Sequence, residues 1–179
     1  MMRRNPTRHS RRTALLVGEG QAEVELLSHL RSIYTSDRQG CQLTIRNARG
    51  HGAGHVVKHA IALKRQAAFD RTAVLLDTDT DWTPATRVLA RRHAIRIFSC
   101  TPCLEAWVLG LIDEPIRHGW TTAQYKERFA RRFDGPAHAP GLMGAQLPRA
   151  ALDHAATRDA MLPQLIEWLT ASEPTGAAS

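Results

Sequence analysis

Residues 72–76, Thr-Ala-Val-Leu-Leu, form an uninterrupted apolar run that stops at Asp77. A strand with one wet face alternates apolar and polar residues. A strand apolar throughout has both faces covered, as in parallel sheets with helices on each side. The rest of the chain supplies such helices. A first strand over 13–17 ends in Gly18-Glu19-Gly20, and Val24, Leu27, Leu30 and Ile33 then recur at helical spacing over 21–34. Residues 41–46 alternate, with Leu43 and Ile45 on one side, and predict a second strand. A helix over about 55–68 follows, then the 72–76 strand, a helix over 84–92, and a fourth strand over 94–98. Pro102 is expected in the first turn of a helix running to Leu111.

The order β-α-β-α-β-α-β-α predicts an α/β fold with a mostly parallel four-stranded sheet flanked by helices, joined by right-handed crossovers. Three helices over 121–133, 145–156 and 158–170, with a loop over 135–144, predict a helical C-terminal region. Tyr125, Phe129 and Phe133 mark the buried face of the first.

The chain has 179 residues, 43% of them apolar, enough for one domain with a real core, placed at 13–171. Residues 1–12 carry five arginines and read as a disordered basic arm, and 172–179 as a frayed tail. No apolar run approaches the ~20 residues of a membrane span, and residues 13–17 are too short for the core of a signal peptide. Three cysteines, Cys41, Cys100 and Cys103, suit a reducing compartment, so a cytoplasmic protein is expected. The formal net charge of +7 attracts polyanions and makes nucleic acid the expected partner, against a plain solvated basic face as the competing reading, with no membrane association.

Both buried strands end in acids. Glu19 follows the first, and Asp77 and Asp79 follow the third. Ligands of open α/β sheets bind at the carboxyl edge where strand order reverses. In a 2-1-3-4 order the first and third strands are neighbours, so Glu19 and Asp77 face each other there. Asp79 points the same way if the chain stays extended. Three close carboxylates repel, and a divalent cation is their natural counter-charge. Oxygen-only ligands select Mg²⁺ or Mn²⁺ over Zn²⁺. Glu23, one helical turn after Glu19, can reach the same ion or a second one, or can simply compensate a helix N-terminus.

Glu19-Gly20-Gln21-Ala22-Glu23, then Asp77-Thr78-Asp79, then Pro102-Cys103-Leu104-Glu105-Ala106-Trp107 occur in that order. Over residues 13–112 this pattern resembles the Toprim domain, a Rossmannoid fold, and within it the RloB-like proteins, which are related to the OLD nucleases. Gln21-Ala22 stands where that group has Lys-Thr, and Ser99-Cys100-Thr101 where it has Ser before Asn-Pro-Cys. The resemblance implies Mg²⁺- or Mn²⁺-dependent phosphodiester hydrolysis of DNA or RNA, in phage defence or near restriction loci. Two ions about 3.5–4 Å apart would activate water and steady the leaving oxygen. It implies catalytic roles for Glu19, Asp77, Asp79 and Glu105. Glu19, Asp77 and Asp79 would hold one ion, and Glu23 and Glu105 share a second; Glu19 alternatively serves as general base. An ATPase supplied by another chain and self-association are the further partners considered. The alternative reading is a non-catalytic Toprim module that binds nucleic acid or a partner protein.

Other constellations compete. Arg49-Gly50-His51-Gly52-Ala53-Gly54-His55 precedes a helix, and Arg49, Gly52 and His55 are candidates for substrate phosphate. A plain flexible loop is the competing reading. His55 and His59 lack the HExxH zinc pattern. Cys100-Thr101-Pro102-Cys103 has redox spacing but no second pair. Asp77–Asp81 is similar to the DxDxT/V of haloacid-dehalogenase phosphatases, with Asp81 at the Thr/Val position; Asp81 is otherwise a turn residue or helix cap. No P-loop motif is present.

Overall fold

The computed structural model describes residues 12–35 and 41–171. Four strands, β1 (Arg12–Gly18), β2 (Cys41–Asn47), β3 (Arg71–Asp77) and β4 (Ile95–Cys100), form one sheet of order β2-β1-β3-β4. Every pair is parallel. Eight helices accompany them among the described residues: α1 (Gln21–Tyr34), α2 (Gly52–Gln66), α3 (Pro84–Arg92), α4 (Leu104–Leu111), α5 (Thr122–Phe133), α6 (Leu142–Gln146), α7 (Arg149–Ala156) and α8 (Leu162–Thr170). The α/β class and the strand order are those expected. The expected tail and basic arm, apart from Arg12, lie outside the described residues. Among the described residues no helix is long and apolar enough to cross a membrane.

Alternation along the two central strands divides the core. Ala14, Leu16, Ala73 and Leu75 face α1, α4 and the C-terminal helices; Leu15, Val17, Val74 and Leu76 face α2 and α3. All eight are fully buried. This two-sided cover is why 72–76 carries no polar residue after Thr72. Each buried leucine contributes roughly 1.5–3 kcal/mol by leaving water. The edge strand β2 is only half-buried, with Leu43 and Ile45 against the α1 side, which accounts for its alternation.

Three expectations change. Pro102 lies before α4, after a cis peptide bond from Thr101, and α4 begins at Leu104. The 135–144 loop ends in a short helix that buries Met143, because the segment must cross the α1 face. The two closing helices begin later than their sequence pattern: Pro148 stands ahead of α7, and Asp159 accepts the Met161 and Leu162 N–H groups ahead of α8.

Candidate functional site

The tips of β1 and β3 meet at the carboxyl edge of the sheet. Gly18 pairs with Leu75, and the Glu19 N–H continues the ladder to the Leu75 carbonyl at 3.1 Å. The Asp77 N–H donates to Glu19 Oε2 at 3.0 Å, so the two acids adjoin as the strand order requires. Asp77 Oδ1 accepts the Leu104 N–H at 2.9 Å. It therefore receives an otherwise unpaired donor at the start of α4, where a carboxylate also suits the helix dipole. The next residue on α4 is Glu105.

Glu23 enters from α1. A Cβ on Gly18 would lie 2.7 Å from the Glu23 Cβ, so the close approach of α1 to the tip of β1 requires glycine there. Glu23 Oε2 accepts the Gly20 N–H at 2.7 Å. Glu23 and Glu105 are only 5% and 6% exposed, and Glu105 Oε2 is buried without a hydrogen-bond partner among the described residues. A buried carboxylate oxygen left unpaired is costly.

Glu19, Glu23, Asp77 and Glu105 line one cleft of about 550 Å³, bordered by Lys126 of α5, by Gly50 and by residues 136–138. Burial pushes Asp77 up to about 8, with Glu23, Glu19 and Glu105 adding repulsion. Burial likewise raises Glu23 to about 7. Glu19 is also raised, mainly by burial and against the pull of the Asp77 N–H. For Lys126 burial works downward, but Glu105 and Asp77 outweigh it and hold its ammonium above the usual lysine range. The excess of acid in the cleft suits a hard cation as counter-charge. Yet among the described residues no three His, Cys, Asp or Glu side chains are arranged so as to hold a metal ion as they stand. The donor chemistry fits an ion; a closed coordination shell is not preformed.

Asp79 departs from its expected place. β3 ends at Asp77, and the Thr78 N–H is taken by the Cys100 and Pro102 carbonyls. The chain then bends, so the extended geometry that would align the two aspartates is lost. Asp79 is exposed, does not line the cleft, and accepts the Thr122 hydroxyl at 2.6 Å at the start of α5. It still adds charge near Glu19.

The glycine-rich segment is also occupied by the protein itself. Arg49, Gly50, His51 and Gly52 all have positive φ. The Gly50 N–H donates to the Glu19 carbonyl at 2.8 Å, and the His55 ring pairs with the Ala48 carbonyl at 3.2 Å. Asp81 packs before α2, with its Oδ2 2.5 Å from where a Cβ on Gly54 would stand. Gly50 reaches the cleft; Arg49, Gly52 and His55 do not line it. Asp81 is a turn residue at φ 56°, and Thr83 is the residue that caps α3.

Cys100 and Cys103 are buried, and burial raises both thiols, Cys103 to about 12. A reactive thiolate needs the opposite. The Trp107 indole N–H donates to Asp159, so that tryptophan anchors α4 to the C-terminal region. Sequence reasoning missed Lys126 and His138 at the cleft. They lie on segments read only as an amphipathic helix and a loop, and no local pattern links them to the strand tips.

No protein-family model matches this chain, and no match to it is found among curated proteins or solved structures.

Proposed function

We propose that this chain is a Mg²⁺- or Mn²⁺-dependent phosphodiesterase acting on nucleic acid, of the Toprim and RloB-like kind that its three acidic motifs resemble. The observation that carries the reading is the unpartnered, buried Glu105 Oε2 beside Glu23 and Asp77 in one open cleft. Glu19, Glu23, Asp77 and Glu105 would hold the cation. When bound, it supplies Lewis-acid stabilisation of the phosphate and a more acidic water. Glu19, fixed by the Asp77 N–H, is placed to accept a proton. Among the described residues Lys126 is the one lysine lining the cleft and is set to bind a phosphate oxygen, a role the residues after Gly20 do not fill. Asp79, tied to Thr122, orients the helix that carries Lys126.

The test is cleavage of DNA and RNA panels with Mg²⁺ or Mn²⁺, comparing the natural chain with Asp77→Asn and Glu105→Gln. The reading predicts metal-dependent cleavage that falls at least a hundredfold in either variant. Equal cleavage by all three would remove it. Lys126→Met is expected to raise KM more than Lys126→Arg.

The lack of a preformed ligand set favours a second reading, a non-catalytic module whose carboxylates share protons. At neutral pH the raised values of Asp77 and Glu23 leave protons in the cluster, and these relieve the repulsion. Oligonucleotide binding unchanged by metal, with no turnover of any substrate, would select it.

A further inference from the structure

We infer that a groove between α3 and the outer strand β4 binds a single strand of nucleic acid, base on Trp82 and phosphates on Arg87 and Arg91. The inference rests on the proposed nucleic-acid substrate and specifies its form as single-stranded.

β4 ends the sheet, so among the described residues one of its edges has no partner strand. Alternation turns Ile95, Ile97 and Ser99 toward the α3 side, while Phe98 and Cys100 face the other. With Trp82, Arg87 and Arg91 they line a groove of about 360 Å³. Its floor is apolar and its rim cationic.

Three observations select the occupant. First, Trp82 is half-buried against the core below, and its ring lies under the Arg87 guanidinium at 5.6 Å. The exposed Arg87 can swing from the ring to a phosphate and yield that face of Trp82 to an unstacked base. Second, Arg87 and Arg91 stand one helical turn apart, both exposed and without an ion pair among the described residues. Residues 82–104 contain four arginines and no Asp or Glu, so no carboxylate of that stretch competes with a phosphate. Third, the Ser99 end of the groove lies near the acidic cleft. Trp82 follows the Asp77–Asp81 bend directly, and Ser99 pairs with Leu76, one residue before Asp77. The cleft lies at the strand tips on the α1 and α4 side and the groove along β4 on the α3 side, so a strand held at both passes around the carboxyl tip of β4. A duplex keeps its bases stacked inside and offers no face to Trp82.

The experiment is fluorescence anisotropy of labelled oligothymidylate and oligouridylate twelve-mers with the full chain, in chelator, at several salt concentrations. The natural chain is expected to prefer these strands to a hairpin duplex of equal length. Arg87→Gln with Arg91→Gln is expected to weaken binding at least tenfold and to flatten the log–log salt slope by about 1.4, two phosphates at about 0.7 each. Trp82→Ala is expected to weaken it about tenfold or more, and Trp82→Phe to restore most of the loss. Arg131→Gln, on α5, is the control and is expected to change nothing. Unchanged binding in the groove variants, or no binding by the natural chain, overturns the inference. So does a groove substitution whose only effect is to break up a dimer. Strand binding that depends on the groove, without cleavage in Mg²⁺ or Mn²⁺, sinks the phosphodiesterase reading and leaves the groove standing. Cleavage without groove-dependent binding does the reverse.

Discussion

Asp77 and Leu104 are joined by a 2.9 Å hydrogen bond, from the first backbone N–H of α4 to the last side chain of β3. One carboxylate thus ends a strand, starts a helix, and fixes the neighbouring Glu105 in the same cleft. Asparagine keeps an acceptor oxygen there and alanine does not. Asp77→Ala is expected to lower stability by about 1–2 kcal/mol, the usual cost of losing a side-chain cap. Asp77→Asn is expected to be as stable as the natural chain or more so at pH 8 without metal, because it removes a repelled charge. Urea melts of the three proteins in chelator check the order.

The pH dependence follows from the raised carboxyls. Asp77 at about 8 and Glu23 at about 7 bind protons more tightly in the folded chain than in the unfolded one, where carboxyls titrate near 4. Their contribution to stability is fully present below pH 4 and is lost as pH rises through 7 and 8. In chelator, Tm is expected to fall between pH 6 and 8.5, with a smaller fall in Asp77→Asn. Adding Mn²⁺ at pH 8.5 is expected to reverse the loss. A Tm independent of pH across that window would contradict these protonation states.

Asp79 and Thr122 act as one pair. Asp79→Ala and Thr122→Val are each expected to cost about 0.5–1.5 kcal/mol, and the double variant little more than either alone. Asp79→Ala is expected to bind Mn²⁺ nearly as the natural chain does, whereas Asp77→Asn is not. Additive losses in the double variant would separate the two residues.

Two glycines give unequal expectations. Gly18→Ala sets a methyl 2.7 Å from the Glu23 Cβ, close to the α1 backbone, and is expected to cost about 1–3 kcal/mol and displace Glu23. Gly54→Ala crowds the rotatable end of Asp81, with the Thr86 hydroxyl at ordinary contact distance, and is expected to cost less. Thermal melts of both variants decide.

The sheet was legible because parallel strands buried on both faces leave continuous apolar runs, as 72–76 does. The Glu19–Asp77 contact was legible for a related reason: strand order alone brings those two tips together. Asp79 was misplaced because its position depends on a bend made by Thr78, whose N–H pairs with carbonyls more than twenty residues away. Lys126 was invisible for the same physical cause. It reaches the cleft through α5 packing on α4, a long-range event with no local sequence signature. The glycine-rich segment misled in the other direction. Its glycines make room for Asp81 and for the 49–52 turn, and its composition alone does not distinguish that from a phosphate cradle.

Calorimetric titration of the metal-free full chain with Mn²⁺ at pH 8, set beside the Asp77→Asn, Glu105→Gln double variant, tests the central claim most directly. Saturable binding by the natural chain, lost in the double variant while its fold persists by circular dichroism, is the predicted result. No binding by the natural chain, or equal binding by both, would show that the four carboxylates of the cleft are not a metal site.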